Sequence, residues 1–98
     1  MTKTVYKFPL SMATYQSIAL PVDAEVLTVQ VQGTSVCLWA KIDPTLRRYP
    51  HGIAIHGTGH EFNDDNYRYI TTFQLNEALV FHVFLIEQPY PMTLTADA

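Results

Sequence analysis

The sequence predicts an all-β fold, a compact sandwich or partly open barrel of about seven mostly antiparallel strands. Three observations carry this prediction. Apolar residues recur with period two along most of the chain, and β-branched and aromatic residues are abundant. Turn chemistry interrupts these runs at short intervals, at Gly33-Thr34, Asp43-Pro44, Asn63-Asp64-Asp65-Asn66 and Asn76-Glu77. No stretch of useful length shows a helical period; residues 12–17 hold at most a short turn of helix.

The strands are expected at residues 4–8, 16–20, 25–32, 35–42, 52–57, 67–75 and 78–87. Gly33-Thr34 joins the third and fourth as a hairpin. Pro44 ends the fourth, because proline fixes φ and donates nothing to a ladder. The polar loop at 63–66 holds no apolar residue to bury, and Asn76-Glu77 turns the sixth strand into the seventh. Alternation assigns faces. Leu27, Val29 and Val31 share one face of the third strand, with Thr28, Gln30 and Gln32 on a wet one. Val36, Leu38, Ala40 and Ile42 share a face of the fourth, opposite Cys37, Trp39 and Lys41. The seventh strand, Leu79-Val80-Phe81-His82-Val83-Phe84-Leu85-Ile86, is apolar on both faces, which places it centrally in a sandwich or in an interface. Residues 1–87 read as one β domain and 88–98 as an extended tail or arm. The two tail prolines favour extension, and the segment reads either as a frayed terminus or as an arm whose Tyr90, Met92 and Leu94 pack on a neighbouring subunit.

Ninety-eight residues suffice for one domain, and with 48% hydrophobic residues that domain has a substantial core. Only 15% of residues are charged, against about 25% in a typical domain. So few charges, together with the two-faced seventh strand, predict a homo-oligomer. The net charge is −3, which leaves no basic field for duplex nucleic acid. A lone cysteine, Cys37, forms no internal disulfide, and a free thiol fits a reducing cytoplasm. The N-terminus carries no apolar signal-peptide core, and no apolar run is long enough to span a membrane.

Three of the four glycines and three of the four histidines fall between His51 and His60. Gly57-Thr58-Gly59 predicts a turn whose successive backbone N–H groups either cradle an anion or simply meet a need for φ > 0. Thr58 adds a hydroxyl, and His56 and His60 add imidazoles beside it. The triplet lacks the ending of a phosphate-binding P-loop. His51, His56, His60 and Glu61 are close in sequence, but the spacing does not force them to converge on a metal, and no metal site or cofactor is expected. His56-Gly57-Thr58 is a single His-x-Thr triplet, whereas two-histidine phosphoesterases need two. Cys37 lacks an activating context. His82, between Phe81 and Val83, is expected to be neutral and hydrogen-bonded, to a carbonyl or to a polar residue across the sheet. Arg47, Arg48 and Tyr49, and Arg68 between Tyr67 and Tyr69, pair a phosphate-binding cation with a base-stacking ring; the same residues also serve core and loop roles.

Several segments together resemble a small family of bacteriophage and prophage proteins. They are Trp39-Ala40 with Ile42-Asp43-Pro44, Gly57-Thr58-Gly59-His60, Tyr69-Ile70 with Thr72-Phe73-Gln74, and Leu79 through Phe84. Ile18, Leu20-Pro21 and Leu27 through Gln32 fit the same pattern, whereas Arg47-Arg48-Tyr49-Pro50 and the tail are less characteristic. The resemblance implies an accessory protein acting in the cytoplasm of an infected bacterium, and it supplies no catalytic residues. With the residues above, the expectation is a non-enzymatic protein that sequesters a small anionic, nucleotide-derived immune signal without cleaving it. The ligand would be held by Gly57, Thr58, Gly59, His60, His56, Arg47, Arg48, Tyr49, Tyr67, Arg68 and Tyr69. The alternatives are a module that blocks a bacterial host protein and, beyond that, a phosphodiesterase acting on the same signals.

Overall fold

A computed structural model describes residues 2–87. The chain forms seven strands: β1 (Thr4–Leu10), β2 (Tyr15–Pro21), β3 (Glu25–Gln32), β4 (Ser35–Ile42), β5 (Arg48–Gly57), β6 (Tyr67–Leu75) and β7 (Leu79–Ile86). They build two antiparallel sheets, ordered β1-β4-β3 and β2-β5-β7-β6, packed as a sandwich. The fold class matches the expectation from alternation. No helix occurs among the described residues, so none is long and apolar enough to cross a membrane. The expected tail at 88–98 lies outside the described residues.

The core is made by alternate residues of both sheets. Val36, Leu38, Ala40 and Ile42 of β4 meet Leu20, Ile53, Ile55, Phe73, Val83 and Leu85 of the four-stranded sheet. β3 lies against β6, and Gln30 Nε2 reaches Thr71 Oγ1 across that edge at 3.4 Å. At the opposite edge, the Arg48 guanidinium sits 5.5 Å from the Phe8 ring centroid and 6.0 Å from that of Tyr6, covering β1.

The turns follow their residues. Gly33, at φ 63°, opens the two-residue loop between Gln32 and Ser35, as a type II′ turn requires. Asp43 Oδ1 accepts from both the backbone N–H and the hydroxyl of Thr45, closing the turn that Pro44 starts. These two bonds, the hydroxyl's first, hold the Asp43 carboxyl below its ordinary pKa. Gln16 accepts from the Ser11 N–H and donates to the Ser11 and Ala13 carbonyls, which ties down the β1–β2 connection.

Four details differ from expectation. A β-bulge between Val26 and Thr28 breaks the period of β3, so Leu27 turns outward while Val26 and Val29 pack on the core. β5 begins at Arg48 rather than Gly52, despite Pro50. Its last pair with β7 is Gly52↔Ile86, so Pro50 lies where β5 has β2 as its one partner and a missing N–H interrupts no second ladder. The β6–β7 turn holds three residues, with Asn76 at φ 61°, and Ala78 belongs to that turn. Finally, β1 and β2 extend beyond the expected runs, to Leu10 and to Tyr15 and Pro21.

Candidate functional site

The two outer faces of the sandwich differ in chemistry. On the three-stranded sheet, Lys7 donates to Gln32 and Lys41 pairs with Glu25 on a face that also shows Val5 and Leu27. On the four-stranded sheet, strand register stacks rings in rows. Tyr15, Ala54, Phe84 and Tyr69 stand opposite one another across four strands, and His56, His82 and Thr72 form the next row. Phe81, Val83 and Leu85 are directed to the core, so Phe84 and His82 must face outward.

The loop after β5 folds back over this face. The Phe62 ring stacks on His56 with centroids 4.2 Å apart and planes 10° apart. Phe62 also stacks on Tyr67 at 5.4 Å, and Tyr67 stacks on Phe84 at 5.4 Å. Tyr15 meets His56 edge-on from one side, and Tyr69 meets Phe84 edge-on from the other. The result is a packed centre, with His56 only 4% exposed, between two open tyrosines, Tyr15 at 59% and Tyr69 at 58%. Burial, with the nearby His60 charge second, lowers the His56 pKa. Burial also drives the Tyr67 hydroxyl up to about 12, assisted by a hydrogen bond with Tyr15.

A chain of hydroxyls and one imidazole runs along the same face. Thr58 Oγ1 lies 2.8 Å from His82 Nε2, His82 Nδ1 lies 3.0 Å from Thr72 Oγ1, and Thr72 Oγ1 lies 2.8 Å from the Tyr69 hydroxyl. His82 is thus hydrogen-bonded across the sheet, as its apolar surroundings require. Thr58 donates both its N–H and its hydroxyl to the Val80 carbonyl, at 3.2 and 3.3 Å.

The glycine turn is a turn and not an anion cradle. The His60 N–H donates to the Gly57 carbonyl at 3.1 Å, and Gly59 takes φ 91°, the arrangement of a type II turn. Two of the N–H groups that a cradle needs, those of Thr58 and His60, are therefore already committed. The hollow bounded by Gly57, Thr58, His60 and Leu79 has a volume of about 170 Å³, small against the roughly 300 Å³ at which ligand pockets begin. The His-x-Thr triplet is divided as well: His56 lies beneath Phe62, and Thr58 is turned to His82.

The eleven residues singled out from sequence do not form one site. Gly57, Thr58, Gly59, His60, His56, Tyr67 and Tyr69 gather on or beside the aromatic face. Arg47, Arg48 and Tyr49 lie at the far end of β5, about 30 Å from Gly57 at strand rise. Arg47 lies over the Tyr49 ring at 5.3 Å, and Arg48 over β1. Arg68 pairs with Glu87 at 3.1 Å. Tyr49, His51, Arg68, Leu85 and Glu87 help line a cleft of about 370 Å³ where β5 parts from β7. Among the described residues, no three of His, Cys, Asp and Glu converge so as to hold a metal ion. Sequence reasoning passed over Tyr15, Phe62, Thr72 and Phe84. Phe84 carried a signal, being the outward aromatic of a two-faced strand. Phe62 carried little, as one ring beside a polar loop.

One family profile, described as a domain of unknown function (DUF7352), matches residues 1–93. No curated protein and no solved structure matches the chain.

Proposed function

We propose that this chain, which belongs to the DUF7352 family, is a non-catalytic binding protein whose outer aromatic face takes the planar ring of a nucleotide-derived ligand and holds it unchanged. The observation that carries this reading is the ring array itself: a packed centre of His56, Phe62, Tyr67 and Phe84 between two open tyrosines. The exposed tyrosine rings suit any base by its π-face, and each stacked base contributes about 1–3 kcal/mol. The exposed His60 imidazole, packed beside Gly57, would supply a donor to a phosphate.

Nothing in the array favours chemistry on the ligand. His56 is covered by Phe62, and burial, with the His60 charge second, lowers its pKa. In the setting that the phage resemblance implies, the ligand is a bacterial immune signal and the protein a sponge in the infected cytoplasm. The test is release. The protein is incubated with cyclic dinucleotides and ADP-ribose derivatives and denatured, and the released material is analysed by mass spectrometry. Recovery of intact ligand from wild type, reduced in Tyr69→Ala and Tyr15→Ala, is the expected result. A cleaved product places the protein among enzymes, and no retention of any of these compounds removes the reading.

A second reading has its own support. Exposed tyrosines on a charge-poor face are typical anchors of protein interfaces, and docking of a bacterial host protein there would also leave all ligands unbound.

A further inference from the structure

The hydrogen-bond chain on the aromatic face has a direction. The Thr58 hydroxyl has one proton, and two groups lie in reach, the Val80 carbonyl and His82 Nε2. A carbonyl only accepts. All contacts are satisfied together only if Thr58 donates to Val80 and His82 Nε2–H donates to Thr58. In the neutral imidazole Nδ1 is then the bare nitrogen and accepts from Thr72. The Thr72 oxygen is left to accept, and the Tyr69 hydroxyl donates to it at 2.8 Å. In the reverse arrangement the Thr58–Val80 contact makes no bond, so one hydrogen bond is lost.

Tyr69 therefore has its single proton committed inward, while its ring stands 58% exposed. Its phenolic oxygen then offers a ligand lone pairs and no proton. A base whose edge meets that oxygen is read there by its polar groups. An amino group on that edge donates to it, whereas a carbonyl at the same place meets an acceptor.

We propose that the chain Thr58–His82–Thr72 fixes Tyr69 as a hydrogen-bond acceptor, and that the face therefore selects bases bearing an exocyclic amino group over the same bases without it. Here His82 and Thr72 are positioning residues and Tyr69 makes the contact. This rests on the reading of the face as a base-binding surface, and one measurement is independent of that reading.

The first measurement is the His82 tautomer, from the nitrogen chemical shifts of the ligand-free protein. A proton on Nε2 with bare Nδ1 is expected; a proton on Nδ1 overturns the proposal whether or not any base binds. The second is affinity for adenosine monophosphate against purine riboside monophosphate, which differs from it only by a hydrogen in place of the exocyclic amino group. Adenosine monophosphate should bind about threefold to tenfold tighter, the worth of one hydrogen bond. Thr72→Val is close in volume and releases the Tyr69 proton, so the ratio should fall towards one while adenosine monophosphate is still bound. Tyr69→Phe should also bring it towards one. Equal binding of the two nucleotides by wild type, or an unchanged ratio in Thr72→Val that retains the wild-type melting temperature, overturns the selection. Failure of both nucleotides to bind defeats the base-binding reading and this selection with it, and the tautomer then decides whether the chain itself is as described.

Discussion

The position of His56 disfavours its protonation. Its ring is enclosed by Phe62, Tyr67, Tyr15 and Phe84, and burial lowers its pKa below the ordinary 6.5. The unfolded chain therefore binds more protons than the native one between the lowered value and 6.5, and stability rises with pH across that window. The contribution is complete above about 6.5 and lost as pH falls through the native value. Denaturant midpoints measured from pH 5 to 8 should show this rise, and His56→Phe, which keeps a ring in the stack, should flatten it. Phe62 supplies much of the enclosure while remaining 37% exposed. Phe62→Ala should cost about 1–2 kcal/mol, below the range for a fully buried phenylalanine. It should also return the His56 pKa towards 6.5, read from its ring-proton shifts across a pH titration. An unmoved His56 titration would show that the sheet, and not the loop, buries the ring. Tyr67 runs the other way. With its native pKa at about 12, above the ordinary 10.0, its contribution is present below pH 10 and lost as pH rises towards 12.

At the scale of elements, the bulge in β3 decides which residues matter. Strict alternation groups Leu27 with Val29 and Val31, but the extra residue turns Leu27 outward, 44% exposed, and leaves Val29 fully buried. Val29→Ala should therefore cost about 2 kcal/mol in unfolding free energy, whereas Leu27→Thr should stay within about 0.5 kcal/mol. Comparable losses at both positions would contradict the bulge. The same element shows how far alternation reaches. The bounds of β3, β4 and β6 and the inward set of β4 are legible in sequence, because period two and turn chemistry are local. A bulge preserves hydrophobicity while shifting the register by one, so it leaves no trace in composition. The start of β5 at Arg48 was hidden by Pro50, which reads as a breaker until the ladder shows that β7 does not reach it. Of the candidate site, the glycine turn was legible as a turn, through Gly59. Its partners were not, because Thr58, His82, Thr72 and Tyr69 meet only through the pairing of β6 with β7 and the return of the loop. Phe62 acquires its role the same way.

At the scale of the whole molecule, the seventh strand no longer demands a second chain. β7 is apolar on both faces because it is central in its sheet, with the core on one side and the Phe62–Tyr67–Tyr69 rings over Phe84 on the other. What remains open on that outer face is aromatic rather than charged, and the cations are placed elsewhere. Lys3 pairs with Asp23, Lys41 with Glu25 and Arg68 with Glu87. Lys7 donates to Gln32, and Arg47 and Arg48 lie over rings at the far end of β5. In a molecule of net charge −3 with its arginines so disposed, a nucleotide on the aromatic face is, on the proposed reading, held by its base, with His60 the donor left for its phosphate. Affinity should then depend little on salt, because ion contacts and not stacking respond to screening. Adenosine and adenosine monophosphate should bind within about threefold of each other, the worth of less than one strong charge-assisted bond. Arg48→Ala, about 20 Å along β5 from the row of Tyr69, should leave that affinity unchanged within about twofold. Tyr69→Ala should lower it by the 1–3 kcal/mol, roughly fivefold to 150-fold, that a stacked ring contributes. Isothermal titration at two salt concentrations measures all four quantities. A steep salt dependence together with a large loss in Arg48→Ala would move the ligand to the arginine end of β5, beside the cleft lined by Tyr49 and Arg68.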